Sequence, residues 1–302
     1  MRLRRRSTIA FALVALLLLV ASGAQAGGLV PVPVETGPRA QFGGTGNAEY
    51  FAWTQDRAGA NGYDVWVDPT VGAKFQVNNS GTGYSNAVDQ AGSLLAWQSV
   101  KKNKSDVKLY DMTAMSNVAL PPGVNTSKWE CCSGLFGNTF TFIRTTKNAF
   151  KLYLVTDLTT GDKINVTSID RPKVDLASTP RIYGNWIVWT TSAAGGWKAY
   201  RYDIMNDVIE KIPNPLDKLY YAASVDLAGN VYLVRSGNGC AANVKLMKWT
   251  GSSNPVVVYE FDDVTDVAHT SIFDDGLGTV TWFVDFFDCS TFDADIYSFT
   301  NP

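Results

Sequence analysis

The sequence predicts an all-β fold, a six-bladed β-propeller of four-stranded antiparallel blades, on three observations. The first is a phrase that recurs along the chain: "AGSLLAWQS" from Ala91, "FGNTFTFIR" from Phe136, "YGNWIVWTTS" from Tyr183, "AGNVYLVRS" from Ala228 and "LGTVTWFVD" from Leu277. The second is its period. Anchored on the last large apolar residue, the copies fall at Trp53, Trp97, Phe142, Trp189, Leu233 and Trp282, spaced 44, 45, 47, 44 and 49 residues apart. Short strands repeating at such a period are the signature of propeller blades, and no helical periodicity of useful length competes. The third is alternation. In "WIVW", Trp186 and Val188 fall on one face, Ile187 and Trp189 on the other. Apolar residues on both faces mark a strand buried on both sides, as a blade between two neighbours is.

The chain opens on a leader. "MRLRRR" is cationic, "IAFALVALLLLVA" is apolar, and "AQA" ending at Ala26 is a small-x-small cleavage site. The apolar run is short for a membrane span, and "GGLVPVPV" after it is no stop-transfer signal. Residues 1–26 are therefore expected to be a signal peptide and 27–302 a single propeller domain, secreted or periplasmic, with no membrane span once the leader is removed. Next comes "LVPVPVET" (residues 29–36), a strand left over before the first blade. Each copy then runs through a strand of small residues, a Gly-containing turn, the anchor strand, a third strand such as "KLYLVT" and a fourth such as "KINVT". The sixth copy lacks its fourth strand, because the chain ends at "DIYSFTNP". The spare N-terminal strand is expected to supply it and close the ring, and Pro31 and Pro33 suit an outermost edge.

The "G-N/S-x-φ-φ-φ-W" phrases and segments such as "LYLVTDLTTGDKINVT" give the chain a resemblance to the TolB-like six-bladed propellers of bacterial envelopes. The resemblance covers residues 29–302. It implies the fold and an envelope setting. The family's "S-P-D-G" turn is here "AG", "FG", "YG" and "DDG", and TolB's separate N-terminal domain has no counterpart, so no binding residue is carried over.

The formal net charge of −2 argues against a nucleic-acid partner, which calls for a basic surface. Nucleophilic catalysis of the Ser-His-Asp kind finds one His, His269, and no "G-x-S-x-G" elbow. Neither His-rich nor paired-Cys metal spacing is present, and no phosphate-cradling loop. "VDFFDCSTFDAD" offers Asp285, Asp288, Asp293 and Asp295 as hard oxygen ligands, so calcium is the one ion the sequence invites. Without D-x-D-x-D-G spacing the segment reads as a solvated acidic loop, and no cofactor is expected. Cys131, Cys132, Cys240 and Cys289 are disulfide candidates in an exported chain, and Cys240 with Cys289 would join equivalent loops of the last two blades.

The mouth of the channel is the functional lead. Thirteen residues before the anchors lie Ala40, Tyr84, Trp129, Leu176, Tyr220 and His269. Tyr84, Trp129, Tyr220 and His269 would form a collar where the inner strands begin, with Glu130 as a polar anchor beside Trp129. Such a collar suits a sugar ring or a peptide. The same rings also suit packing between blades. The expected function is thus a monomeric, non-enzymatic scaffold for a protein or glycan ligand. The alternatives are a propeller enzyme acting on glycans or lactones through carboxylates or calcium, and a lectin-like module.

Overall fold

A computed structural model describes residues 31–36, 39–57, 62–78, 84–102, 104–147, 149–167, 179–191, 197–215, 219–236, 244–260, 265–288 and 294–302. They form six four-stranded antiparallel sheets, each ordered inner, second, third and outer strand. The inner strands are Gln41–Gly46, Tyr84–Ala91, Glu130–Phe136, Arg181–Tyr183, Leu219–Val225 and Thr265–Asp274, heading blades one to six. The sixth sheet takes its outer strand from the other end of the chain. Val32–Glu35 pairs antiparallel with Ala294–Thr300, with Val32 opposite Ser298 and Pro33 opposite Tyr297. The ring closes where the leftover strand predicts.

Closure is reinforced from inside. Asp285, on the second strand of blade six, accepts the backbone N–H groups of Gly43 (2.5 Å) and Gly44 (3.3 Å) of blade one. Ser271 Oγ donates to the Gly44 carbonyl at 2.7 Å. Asp285 is therefore buried and spent on backbone, which corrects its reading as part of a solvated acidic loop. A carboxylate taken out of water needs such donors, and the amides of a strand that folds back supply them.

The anchors are the core. Trp53, Trp97, Phe142, Trp189, Leu233 and Trp282 are all buried. The alternation read from "WIVW" holds residue by residue. Ile187 and Trp189 pack with Ile143, Leu152 and Leu154 of blade three. Val188 and Trp186 pack with Tyr220, Val225 and Leu233 of blade five. Each anchor strand thus glues two blade interfaces, and burying one Trp or Leu contributes on the order of 2–3 kcal/mol.

The inner strands are less regular than the repeat implies. Their pairing slips between Phe42 and Thr45, Ala87 and Asp89, Cys131 and Gly134, Tyr221 and Ser224, and Val267 and Thr270. These are β-bulges at one level of five blades, and a bulge turns the strand more sharply, as strands converging on an axis must. Gly43 (φ 66°), Cys132 (φ 55°) and Ala222 (φ 48°) take the left-handed conformation there. Gly134 follows the third bulge, and a Cβ on it would meet the Pro180 carbonyl oxygen of blade four at 2.7 Å. Only a glycine permits that approach.

The outer strand of blade one is only Phe75–Gln76, and the inner strand of blade four is Arg181–Tyr183. Among the described residues no helix is long and apolar enough to cross a membrane.

Candidate functional site at the axis

In the first five blades the turn after the inner strand and the turn after the third strand open on one face of the ring, because the strands are antiparallel, and in blade six the turn after the inner strand joins them. At the centre of this turn face lies a cavity of about 480 Å³. Blade one contributes Gly46 and Asn47, blade two Gln90, blade three Phe136, blade four Tyr183 and blade six Ile272 and Phe273. Its wall is chiefly apolar. The rings of Phe136 and Tyr183 meet at 4.6 Å with planes 45° apart.

Tyr183 is fixed by blade six, across the axis. Its hydroxyl donates to the Asp274 carbonyl at 2.8 Å and accepts the Asp274 N–H at 2.9 Å. Burial pushes its phenol up to about 12, so it stays neutral. Gln90 is only 8 % exposed. Its Nε2 donates to the Tyr50 carbonyl at 3.0 Å, while its Oε1 is buried with no hydrogen-bond partner. Gln90 thus lines the cavity while its Oε1 lies sealed beneath the surface, an unpaired amide oxygen of the kind that costs about 1–3 kcal/mol.

Below the cavity the axis is closed. Asp89, one residue deeper than Gln90, faces Arg181, two residues deeper than Tyr183, with Nη1 to Oδ1 at 3.7 Å. The two are 7 % and 5 % exposed. Asp89 also accepts the N–H groups of Leu135 (3.0 Å) and Gln90 (3.1 Å) and lies 3.5 Å from Thr45 Oγ1. Arg181 Nε donates to the Thr270 carbonyl at 3.0 Å. Blades one, two, three, four and six thus meet in one polar plug. Burial drives Asp89 up to about 6 against the pull of Arg181, and burial lowers Arg181.

A raised carboxylate makes a pH prediction. The folded protein holds a proton on Asp89 that the unfolded chain lacks between about pH 4 and about pH 6. The stabilisation is fully present below the ordinary carboxylate range and is lost as pH rises through about 6. Denaturant unfolding of wild type and Asp89→Asn should show wild type gaining on the variant as pH falls from about 7 to about 5. A constant difference would contradict the assignment.

The residues expected at the opposite mouth lie as follows. Glu130 is 0 % exposed, accepting Arg144 Nε at 2.8 Å and Thr126 Oγ1 at 2.6 Å, with its Oε2 buried and unpartnered. Tyr220 is 1 % exposed and packs between blades four and five. Trp129 is half-buried against the interface of blades three and four. The side chains of Tyr84 and His269 lie outside the described residues. The backbone of Tyr84 begins its inner strand, whereas His269 falls at the bulge of blade six, deeper than the others, because that blade is longer. The sulfurs of Cys131 and Cys132 are paired, with Cα atoms 3.7 Å apart. Cys240 and Cys289 lie outside the described residues, as does Asp293. Among the described residues no group of His, Cys, Asp and Glu is placed to hold a metal ion.

A larger cavity, about 700 Å³, lies on the flank of blade two, with Trp97, Lys108 and Pro121 in its wall. Trp97 Nε1 is unpartnered there, but so are Nε1 of Trp189 and Trp282, which line neither cavity. The orphan indole follows from the anchor position, so the smaller axial cavity is the better candidate.

No protein-family model matches the chain, and no curated protein matches it in sequence. Solved structures do match in shape. The putative TolB from Agrobacterium tumefaciens superposes with a TM-score of 0.58 at 14 % identity, over 88 % of this chain and 92 % of that one. TolB from Acinetobacter baumannii gives 0.57 at 15 %, over 84 % of this chain and 64 % of that one, so this chain spans less than two thirds of that protein. A neuraminidase-like protein of A/little yellow-shouldered bat/Guatemala gives 0.55 at 8 %, over 92 % and 99 %. The chain is a six-bladed β-propeller. Its ring is similar at the level of fold to those of TolB proteins.

Proposed function

We propose that the protein is an exported, non-enzymatic binding scaffold of the cell envelope or extracellular space, with residues 1–26 as a cleaved signal peptide and 27–302 as one propeller domain. The observation that carries this is the axial cavity. Its apolar wall suits recognition, and beneath it a polar plug joins five blades. Asp89 has the raised carboxyl of a general acid, but its acceptor positions are taken by Leu135, Gln90 and Arg181. A second reading keeps the site at the opposite mouth. It is favoured by the unpartnered Oε2 of Glu130 beside the half-buried Trp129.

The test is a peptide and glycan array probed with the mature chain, alongside hydrolysis assays on glycoside and lactone substrates. Binding is expected, lost in Gln90→Leu and Phe136→Ala, without turnover. Turnover abolished by Asp89→Asn would replace the scaffold with a propeller hydrolase.

A further inference from the structure

The turn face carries a charge and an apolar pattern that the repeat itself writes. An Asp opens many of its turns because the carboxylate caps the turn's own amides. Asp111 accepts Thr113 and Ala114 N–H, Asp157 accepts Thr159, Asp203 accepts Met205 and Asn206, and Asp275 accepts Leu277 and Thr279. Glu49 and Asp274 add to them beside the cavity. These bonds keep the charge. Asp157 is held below the usual carboxylate range by the Thr159 amide, Asp203 by the Asn206 side chain and Asp275 by the Thr279 amide.

Cations offset part of this: Lys248 reaches the Pro302 carbonyl, and Arg201, paired with Glu210, reaches the Gly229 carbonyl. Lys74 is paired with Glu35 (2.7 Å) and Asp68 (3.5 Å), and Lys163 donates to the Pro122 carbonyl. Between the carboxylates stand exposed apolar tips: Val71, Met115, Met205, Leu227 and Leu277, the last 91 % exposed. The other large exposed apolar residues among those described sit on outer strands, away from this face. At the centre lies the cavity, with Gln90, Phe136 and Tyr183 in its wall.

We propose that this face receives a basic segment of a second protein, carrying lysine or arginine together with a bulky apolar side chain that enters the axial cavity. The inference rests on reading the cavity as a ligand site and adds the chemistry of its partner. Charge complementarity selects the sign, because a ring of carboxylates steers and holds cations and repels acidic chains. The apolar tips and cavity call for apolar side chains as well, which a bare polyamine lacks.

The test uses fluorescence anisotropy with two synthetic peptide pools matched in length and apolar content, one bearing Lys and Arg, the other Asp and Glu, with spermine as competitor. The basic pool is expected to bind, and raising salt from about 0.05 M to about 0.5 M to weaken it roughly tenfold. The triple variant Asp111→Asn, Asp203→Asn, Asp275→Asn keeps the capping oxygens and removes three charges. It should bind about fivefold more weakly with a shallower salt dependence. Equal binding of the two pools, an unchanged triple variant, or displacement by spermine at matched affinity would overturn the basic-polypeptide partner while leaving the cavity as a site. Failure of both pools and of every array ligand would instead overturn the cavity itself.

Discussion

Replacing Arg181 with Met is expected to cost about 3–5 kcal/mol of stability, the loss typical when one member of a buried ion pair is removed. The variant leaves the Asp89 carboxylate in the closed axis without its cation, and strips the Thr270 carbonyl of its 3.0 Å donor. Met fills much of the side-chain volume, so the loss is chiefly electrostatic. Asp89→Asn should cost less, since an amide oxygen still accepts from Leu135 and Gln90. The double variant should be distinctly more stable than the sum of the single losses implies, with a coupling of about 1–3 kcal/mol. Denaturant unfolding of the four proteins gives that coupling. Strict additivity would mean that the pair does not act as one plug.

Deleting residues 31–36 should turn a soluble ring into an aggregating one. The deletion uncovers the ladder of Ala294–Thr300 from Ile296 to Ser298, and removes the Glu35 partner of Lys74. An unpaired strand edge is a template for pairing with another chain. Val32 and Pro33 are exposed, so little core is lost and the melting temperature should fall by only about 5–10 °C. The larger effect is on light scattering, which should rise well below the melting transition. A deletion variant that stays clear and melts with wild type would show that the Asp285 and Ser271 contacts close the ring on their own.

Local pattern made the ring legible, and its absence hid the axis. The anchors repeat, "WIVW" states which interface each residue serves, and the spare strand with its prolines announces closure. The axial plug joins residues that no local pattern joins. Even so, a signal was present. Asp89 and Arg181 both stand eight residues before their anchors, Trp97 and Trp189, as does Thr45 before Trp53. Opposite charges at one repeat position, in strands buried on both faces, can only face each other across the axis. Bulges shift the inner strands against a plain residue count, and in the longer blade six His269 falls at the bulge. A ring facing an axis and one wedged between blades share one sequence pattern, and the fold packs Tyr220 between blades four and five. The turn-face cavity was invisible for another reason. Its wall is made of a few residues each at the ends of five inner strands, and the Asp residues around it read simply as turn formers.

The measurement that bears most directly on the whole account is titration of the basic peptide pool into Gln90→Leu and Trp129→Ala side by side. The two substitutions lie at opposite ends of the inner strands. The structure predicts weaker binding, by about fivefold or more, in Gln90→Leu and unchanged binding in Trp129→Ala. The reverse, with Trp129→Ala impaired and Gln90→Leu intact, would place the ligand at the opposite mouth and contradict the turn-face site.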